Sequence, residues 1–244
     1  MIDLHCHILP GIDDGAKDLA TSLEMAKIAF ESGTRYLACT PHIMAGIYPN
    51  YGSDIRQRVA LLQENLDKAG IGLGLIQGAD IHVTLDLIEG LRAGTYPTLN
   101  GSRYFLLEPP HHVMPPRLVE FCIRIMQDGY IPVLTHPERL TWIEQHYDAV
   151  KKLDDAGVLI QLTAASISGR FGPRALYWSE RMLEEGRVDL IASDGHNTRS
   201  RPPRMDKARE RIAELYDDEL AIRLTLDTPL MVVENRVASN ISES

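Results

Sequence analysis

The chain has 244 residues, 44% of them hydrophobic and 24% charged, with a formal net charge of −9. That length can bury the core of one large α/β domain, while the acidic balance argues against a general nucleic-acid surface, which needs a basic face to neutralise phosphates. No apolar run is long enough to span a bilayer, and Asp3, His5 and His7 interrupt the place where the apolar region of a signal peptide would lie, so a cytoplasmic protein that is not membrane-embedded is expected.

Along the chain, short apolar runs of strand length recur at Met1–Leu4, Tyr36–Cys39, Leu73–Gln77, Tyr104–Leu107, Ile131–Leu134, Val158–Leu162 and Asp189–Ala192. They are continuous rather than alternating, the pattern of strands covered by helices on both faces. Helical periodicity fills most of the gaps. Thr21 and Glu24 form a capping box ahead of Leu23, Ala26 and Phe30. Ile55, Val59, Leu62 and Leu66 make one apolar stripe, Leu118, Cys122, Ile125 and Met126 another, and Met205, Ala208, Ile212 and Leu215 a late one. Gly33, Gly70, Gly129, Gly157 and Gly186 stand where a left-handed residue ends each helix.

Seven β-then-α units without a break in composition predict a single α/β domain over residues 1–228, followed by a tail at 229–244 whose end, Ser239–Ser244, is frayed. A closed or nearly closed parallel barrel fits that count better than an open doubly wound sheet.

Cys6, Cys39 and Cys122 are too few and too scattered for a disulfide framework or a zinc site, and read as buried free thiols. None has an arginine six positions on, the spacing with which cysteine-nucleophile phosphatases cradle phosphate; Ile12, Ala45 and Asp128 stand there instead.

The strand exits carry the chemistry. His5, His7, Asp13 and Asp14 follow the first run, His42 the second, Asp80 and His82 the third, Glu108 the fourth, His136, Glu138 and Arg139 the fifth, and Asp194 and His196 the seventh. Only the sixth ends in hydroxyls and small residues, Thr163 to Ser166. In parallel α/β folds loops from every strand converge at this end. One histidine at a strand exit is ordinary, but six of the nine lie at such exits, and five of them, His5, His7, His42, His136 and His196, stand with Asp14, Asp80, Glu108 and Asp194. Imidazole and carboxylate are the ligands of zinc, manganese and iron, and buried charges need partners. Nine such ligands can hold two or three divalent cations, and three cations would leave the centre electropositive and suited to a phosphate dianion and a bridging hydroxide. Arg139, Arg199, Arg201 and Arg204 follow two of the exits, and guanidinium forks match phosphate oxygens.

The stretches IDLHCHILPGIDDGAKD, CTPH, GADIHVTLD, PTLNGSRYFLLE, PVLTHPERL and LIASDGHNTRSRPP, which run from residue 2 to residue 203, resemble the PHP (polymerase and histidinol phosphatase) superfamily. Within it the chain looks most like the metal-dependent protein-tyrosine phosphatases of bacterial capsule and exopolysaccharide loci. The resemblance implies a distorted seven-stranded (β/α) barrel with three metals, often manganese, iron or zinc being alternatives. It implies that His5, His7, Asp80 and Asp194 hold one cation, Asp80, Glu108 and His136 a second, and Asp14, His42 and His196 a third. Arg139 and Arg201 would be the catalytic residues that bind the substrate phosphate. The implied activity is hydrolysis of phosphotyrosine by a metal-bridging hydroxide, with the phosphotyrosine tail of a bacterial tyrosine autokinase in polysaccharide export as partner. Asp80 departs from the pattern, which usually has Glu, and is one methylene shorter; His82 is also unusual. A small-molecule phosphatase of the histidinol-phosphate type and a non-catalytic metal-binding regulatory subunit are the other readings.

Overall fold

The computed structural model describes residues 1–235; Ser239–Ser244 lie outside them. Nine strands run β1 Ile2–Cys6, β2 Tyr36–Cys39, β3 His42–Ile43, β4 Gly74–Gln77, β5 Asp80–His82, β6 Tyr104–Glu108, β7 Ile131–Thr135, β8 Leu159–Thr163 and β9 Leu190–Ala192. They form a three-stranded sheet ordered β1-β2-β4 and a six-stranded sheet ordered β3-β5-β6-β7-β8-β9, and every pair is parallel.

The seven expected runs become nine strands because two of them break and resume. Pro41, which has no N–H to give a ladder, separates β2 from β3, and Thr40 beside it accepts from the Cys6 backbone N–H through Oγ1 at 2.9 Å. Gly78 separates β4 from β5 at a place where a Cβ would stand 2.8 Å from Leu99 Cδ2. The resumed pieces are two and three residues long and carry His42, Asp80 and His82, so no apolar run announces them. Beyond β9 the chain returns to β1: His7 N–H donates to Gly195 O at 2.8 Å and Asp194 N–H to His5 O at 2.9 Å.

Between the strands run α1 Leu19–Glu31, α2 Gly52–Lys68, α3 Leu87–Arg92, α4 Leu118–Gln127, α5 Ile143–Asp155, α6 Ala164–Ile167, α7 Gly172–Glu184, α8 Asp206–Leu215, α9 Asp218–Ile222 and α10 Thr228–Val233. The stripe of α2 buries Ile55, Val59, Leu62 and Leu66 as expected, and the five glycines placed at helix ends all have positive φ. The capping box at Thr21 is not formed. Asp18 is the N-cap and accepts from the Thr21 N–H, because an aspartate carboxylate three residues earlier satisfies that donor and the helix begins a turn sooner. On α8, Ile212 is buried but Leu215 is 54% exposed, since the helix ends there. The three cysteines are free and buried.

Two apolar clusters result. One packs the helices on the outer faces of the sheets. The other is enclosed by the strands themselves, with Ile2, Leu4, Tyr104, Leu106, Val133 and Leu190 among its members. Val232 of α10 joins that inner cluster and is fully buried. The loss of periodicity after Thr228 therefore hides a short helix, too brief to show a repeat. Among the described residues no helix is long and apolar enough to cross a membrane.

Candidate metal centre

The centre begins with an irregularity in β1. Asp3 pairs with Leu37 of β2, but the next matched pair is Cys6 with Cys39, so β1 holds one residue more than its neighbour over this stretch. Leu4 lies in the inner apolar cluster, and His5, the very next residue, also turns inward, its Nδ1 2.8 Å from Gln161 Oε1 on β8. A bulge re-aims side chains in this way. Asp3, fully buried, secures it by accepting from the backbone N–H groups of His5 at 3.3 Å and Ser193 at 3.0 Å. His5 Nε2 then lies 3.1 Å from His7 Nε2, so the His-x-His pair shares one face.

The other strands bring their donors to the same point. Asp80 Oδ2 lies 3.5 Å from His5 Nε2 and 3.3 Å from His42 Nδ1. Asp194 Oδ1 lies 3.4 Å from both His5 Nε2 and His7 Nε2 and 3.5 Å from His196 Nδ1. Asp14 Oδ1 is 3.5 Å from Nε2 of both His42 and His196. Glu108 Oε2 is 3.3 Å from His42 Nδ1, and its Oε1 is 3.5 Å from His136 Nε2. His136 and Asp194 take positive φ, 37° and 51°, a costly backbone for such residues that clusters at functional sites. Four groups of side chains thus have metal-ligand spacing: His7, Asp14, His42 and His196; His5, His7 and Asp80; His42, Asp80 and Glu108; and Glu108, His111 and His136.

The electrostatics call for cations. Both oxygens of Asp80 are buried without a hydrogen-bond partner, a state that costs several kcal/mol unless a positive charge compensates it. Burial is the largest effect on His5 and pushes its pKa down, yet Asp80 and Asp194 carry it up to about 9. His42 is likewise depressed by burial but raised to about 11 overall by Asp80 and Glu108. Burial raises the Asp80 carboxyl, and His5 and His42 overcome that and hold it well below the usual range. In the cation-free protein, protons on imidazoles thus balance the carboxylates. His196 is pushed down to about 4, by burial first and His7 next, and burial likewise depresses His136; both stay neutral and free to coordinate. An imidazole-and-carboxylate set of this size fits divalent cations.

Neighbours orient the rings. Asp13 Oδ2 accepts from His7 Nδ1 at 2.8 Å and from the His42 N–H at 3.1 Å, and Gln161 does the same for His5, so Nε2 of each ring faces the centre. Arg139 and Arg201 both bond Asp194 Oδ2, Arg201 at 2.5 Å, and Arg139 stacks 4.8 Å over the Phe171 ring. Asp194 therefore turns one oxygen to the histidines and the other to two guanidiniums.

Every residue expected at the site from sequence is brought here: His5, His7, Asp14, His42, Asp80, Glu108, His136, Asp194 and His196, with Arg139 and Arg201 beside them. Arg204 turns away to pair with Asp206. Glu138 also turns away, accepting from Thr163 N–H and Ser166 Oγ and so fixing the hydroxyl-rich sixth exit. Sequence reasoning gave no role to Asp13, Gln161, Phe171 or His111. Gln161 interrupted the apolar run Val158–Leu162, and His111 stood three residues past Glu108; those were the available signals.

Fold and centre together define a parallel α/β protein that gathers metal ligands at its strand exits, the arrangement of metal-dependent hydrolases. The chain belongs to the capsular polysaccharide synthesis CpsB/CapC family, which it matches over residues 1–234. It is 33% identical over 232 residues to the tyrosine-protein phosphatase YwqE of Bacillus subtilis, covering 95% of this chain and 91% of that one. It is 31% identical over 242 residues to the tyrosine-protein phosphatase CpsB of Streptococcus pneumoniae, covering 97% and 100%. A crystal structure from work on YwqE and CpsB, described as unique metal-dependent tyrosine phosphatases, superposes with a TM-score of 0.93 at 32% identity over 97% of this chain and 96% of that one. A histidinol phosphate phosphatase from Lactococcus lactis, at 11% identity and a TM-score of 0.57, covers 92% and 95% and shares the fold.

Proposed function

We propose that the protein is a metal-dependent protein-tyrosine phosphatase, a phosphoric monoester hydrolase that acts in the cytoplasm on the phosphotyrosine tail of a bacterial tyrosine kinase in polysaccharide export. One observation carries the metal dependence: a buried carboxylate, Asp80, with neither oxygen hydrogen-bonded, stands among histidines. The near full-length relatives named tyrosine-protein phosphatases support the substrate class. We read the nine strands as seven barrel positions, β2 with β3 and β4 with β5 each serving as one broken strand, in one domain whose core α10 carries past residue 228.

In this reading two or three divalent cations bind, manganese foremost, with iron or zinc as alternatives. His5, His7, Asp80 and Asp194 hold one, Asp80, Glu108 and His136 another, and Asp14, His42 and His196 the third. Bound cations supply Lewis acidity toward the phosphoryl oxygens and a water ionised near neutrality. The chain's own residues do the rest. Arg139 and Arg201 leave Asp194 Oδ2 to grip the phosphoryl oxygens bidentately and orient the ester. Asp194 holds both guanidiniums until then and keeps its other oxygen on the histidines. Asp13 and Gln161 keep His7 and His5 in the tautomer the centre needs. The tyrosyl oxygen leaves with a pKa of about 10, so little proton donation is required of the protein.

A protein substrate fits better than a metabolite. The cavity is about 240 Å³, less than small-molecule sites usually enclose, and the loops at its mouth carry Ile47 and Val113 at 60% and 67% exposure. The test is a chelation and manganese add-back assay on a phosphotyrosyl peptide, with histidinol phosphate in parallel and His136→Ala as the site variant. Peptide turnover that is lost with chelation, regained with manganese and abolished in the folded variant is expected. An inert peptide beside rapid hydrolysis of the metabolite would overturn the tyrosine reading.

A further inference from the structure

We infer that His111 is a cation ligand, adding a donor to the set that Glu108 and His136 present; the inference rests on the reading that this cluster binds cations. Glu108 divides its two oxygens. Its Oε2 faces His42 Nδ1 at 3.3 Å and His82 Nε2 at 3.7 Å, and its Oε1 faces His136 Nε2 at 3.5 Å and His111 Nε2 at 3.6 Å. Hydrogen bonds from ring nitrogen to oxygen run about 2.7–3.2 Å, so the contacts to Oε1 are too long for good ones. They match the separation of about 3.4 Å between two donors that share one tetrahedral cation at about 2.1 Å. The His111 and His136 rings lie 5.2 Å apart between centroids, and one donor atom from each of Glu108, His111 and His136 falls within 4.8 Å of the others. Asp80 groups with His5 and His7, and with His42 and Glu108.

The loop that carries His111 is held in place for this task. Pro109 and Pro110 stiffen its entry. Trp142 Nε1–H donates to Pro110 O at 2.9 Å, and Thr141 donates to His111 O from both its N–H, at 2.9 Å, and its hydroxyl, at 3.0 Å. These anchors come from the segment just past His136 and Arg139, so the two strand exits that supply the three donors are tied to each other. Two of these bonds fix the His111 carbonyl and one the Pro110 carbonyl, and from the loop so held the His111 ring reaches Glu108. A three-donor set with two imidazoles is the composition suited to zinc, iron or manganese with a position left open for water or substrate.

The test uses the full chain and zinc alone. Zinc stoichiometry and affinity are measured for the unaltered protein and for His111→Ala, with His112→Ala as the neighbouring control. In parallel, nitrogen-15 spectra of the labelled imidazoles are followed with pH in the zinc-loaded protein, the His111 signal being identified by its loss in His111→Ala. His111→Ala should weaken one zinc per chain by at least tenfold while His112→Ala leaves it unchanged, and the His111 ring should stop titrating once zinc is bound. A His111 ring that still titrates in the loaded protein, or a His111→Ala variant with unchanged zinc affinity, would overturn the assignment alone. An unaltered protein that takes up no zinc would overturn the reading of the whole centre, and this assignment with it.

Discussion

Replacing Asp13 by Asn preserves shape and reverses the hydrogen-bonding polarity of one atom. Asp13 accepts three bonds, from His7 Nδ1 at 2.8 Å and the His42 N–H at 3.1 Å through Oδ2, and from the Gly15 N–H at 2.9 Å through Oδ1. All three partners donate, so both oxygen positions must accept, but an amide offers one accepting atom and one donating atom. If its NH₂ takes the Oδ2 position, the His42 N–H loses its acceptor and His7 must accept at Nδ1. The ring proton then moves to Nε2, the nitrogen that faces His5 and Asp194, and His7 no longer offers the centre a lone pair. If the NH₂ takes the Oδ1 position, only the Gly15 N–H is left unmet, at a cost of about 1–3 kcal/mol. Losing an orienting partner of this kind weakens metal affinity about 10- to 100-fold, or about 1.4–2.8 kcal/mol. A manganese titration of chelated Asp13→Asn, read by recovery of turnover, should show the midpoint displaced by that factor with much of the maximal rate regained at saturation. If the second orientation holds, the Asn oxygen still accepts from His7 and the midpoint stays put; Asp13→Ala, which leaves His7 no acceptor in any orientation, should then show the displacement, and a midpoint unchanged in Asp13→Ala would refute the claim that Asp13 sets the His7 tautomer.

Two further substitutions separate the other parts of the centre. Arg139→Lys keeps the charge but loses the fork and the stacking on Phe171, so kcat/KM for a phosphotyrosyl peptide should fall about 10- to 100-fold with metal content unchanged; a parallel loss of metal would mean that Arg139 supports the ligands instead. Gly15→Ala places a Cβ 2.1 Å from His7 O and 2.4 Å from His7 Cβ, where backbone cannot give way. Overpacking of this kind costs about 1–3 kcal/mol, and the thermal midpoint should fall while the rise produced by manganese shrinks; an undiminished manganese effect would count against it.

The donor set was legible in the sequence because a parallel α/β chain must bring its strand exits to one end, so polar residues that interrupt apolar runs at those points converge whatever the exact register. His5, His42, Glu108, His136 and Asp194 were readable on that ground. What orients them was not. Asp13 differs from Asp14 only by pointing back at His7, and the extra residue in β1 that turns both Leu4 and His5 inward leaves no mark in a four-residue apolar run. The breaks at Pro41 and Gly78 were hidden because the resumed strands consist mainly of donor residues rather than apolar ones. The α1 boundary went wrong for a local reason: Asp18 and Thr21 are both good caps, and which one serves depends on where the preceding turn delivers the chain.

The charge balance of the centre also dictates how cation uptake depends on pH. His5 and His42 both face Asp80 Oδ2, and their pKa values stand at about 9 and about 11 against an ordinary 6.5. Both are raised, so the stability they lend the cation-free fold is fully present below about 6.5 and is lost as pH rises through 9 and then 11. At pH 7 to 8.5 each carries a proton in the cation-free protein, and the cation that binds through either ring must displace that ring's proton. Coordination of that kind couples metal affinity to pH: one proton released per cation corresponds to about a tenfold gain in apparent affinity for each unit of pH in this range. Manganese added to chelated protein in weak buffer with an indicator dye should therefore acidify the solution, and the titration midpoint should move steeply to lower manganese between pH 7 and 8.5. His136 and His196, both depressed, add nothing to that slope because they are already neutral there. A midpoint independent of pH over this interval would mean that no protons occupy the site beforehand, and that Asp80 is balanced by something other than the two imidazoles that face it.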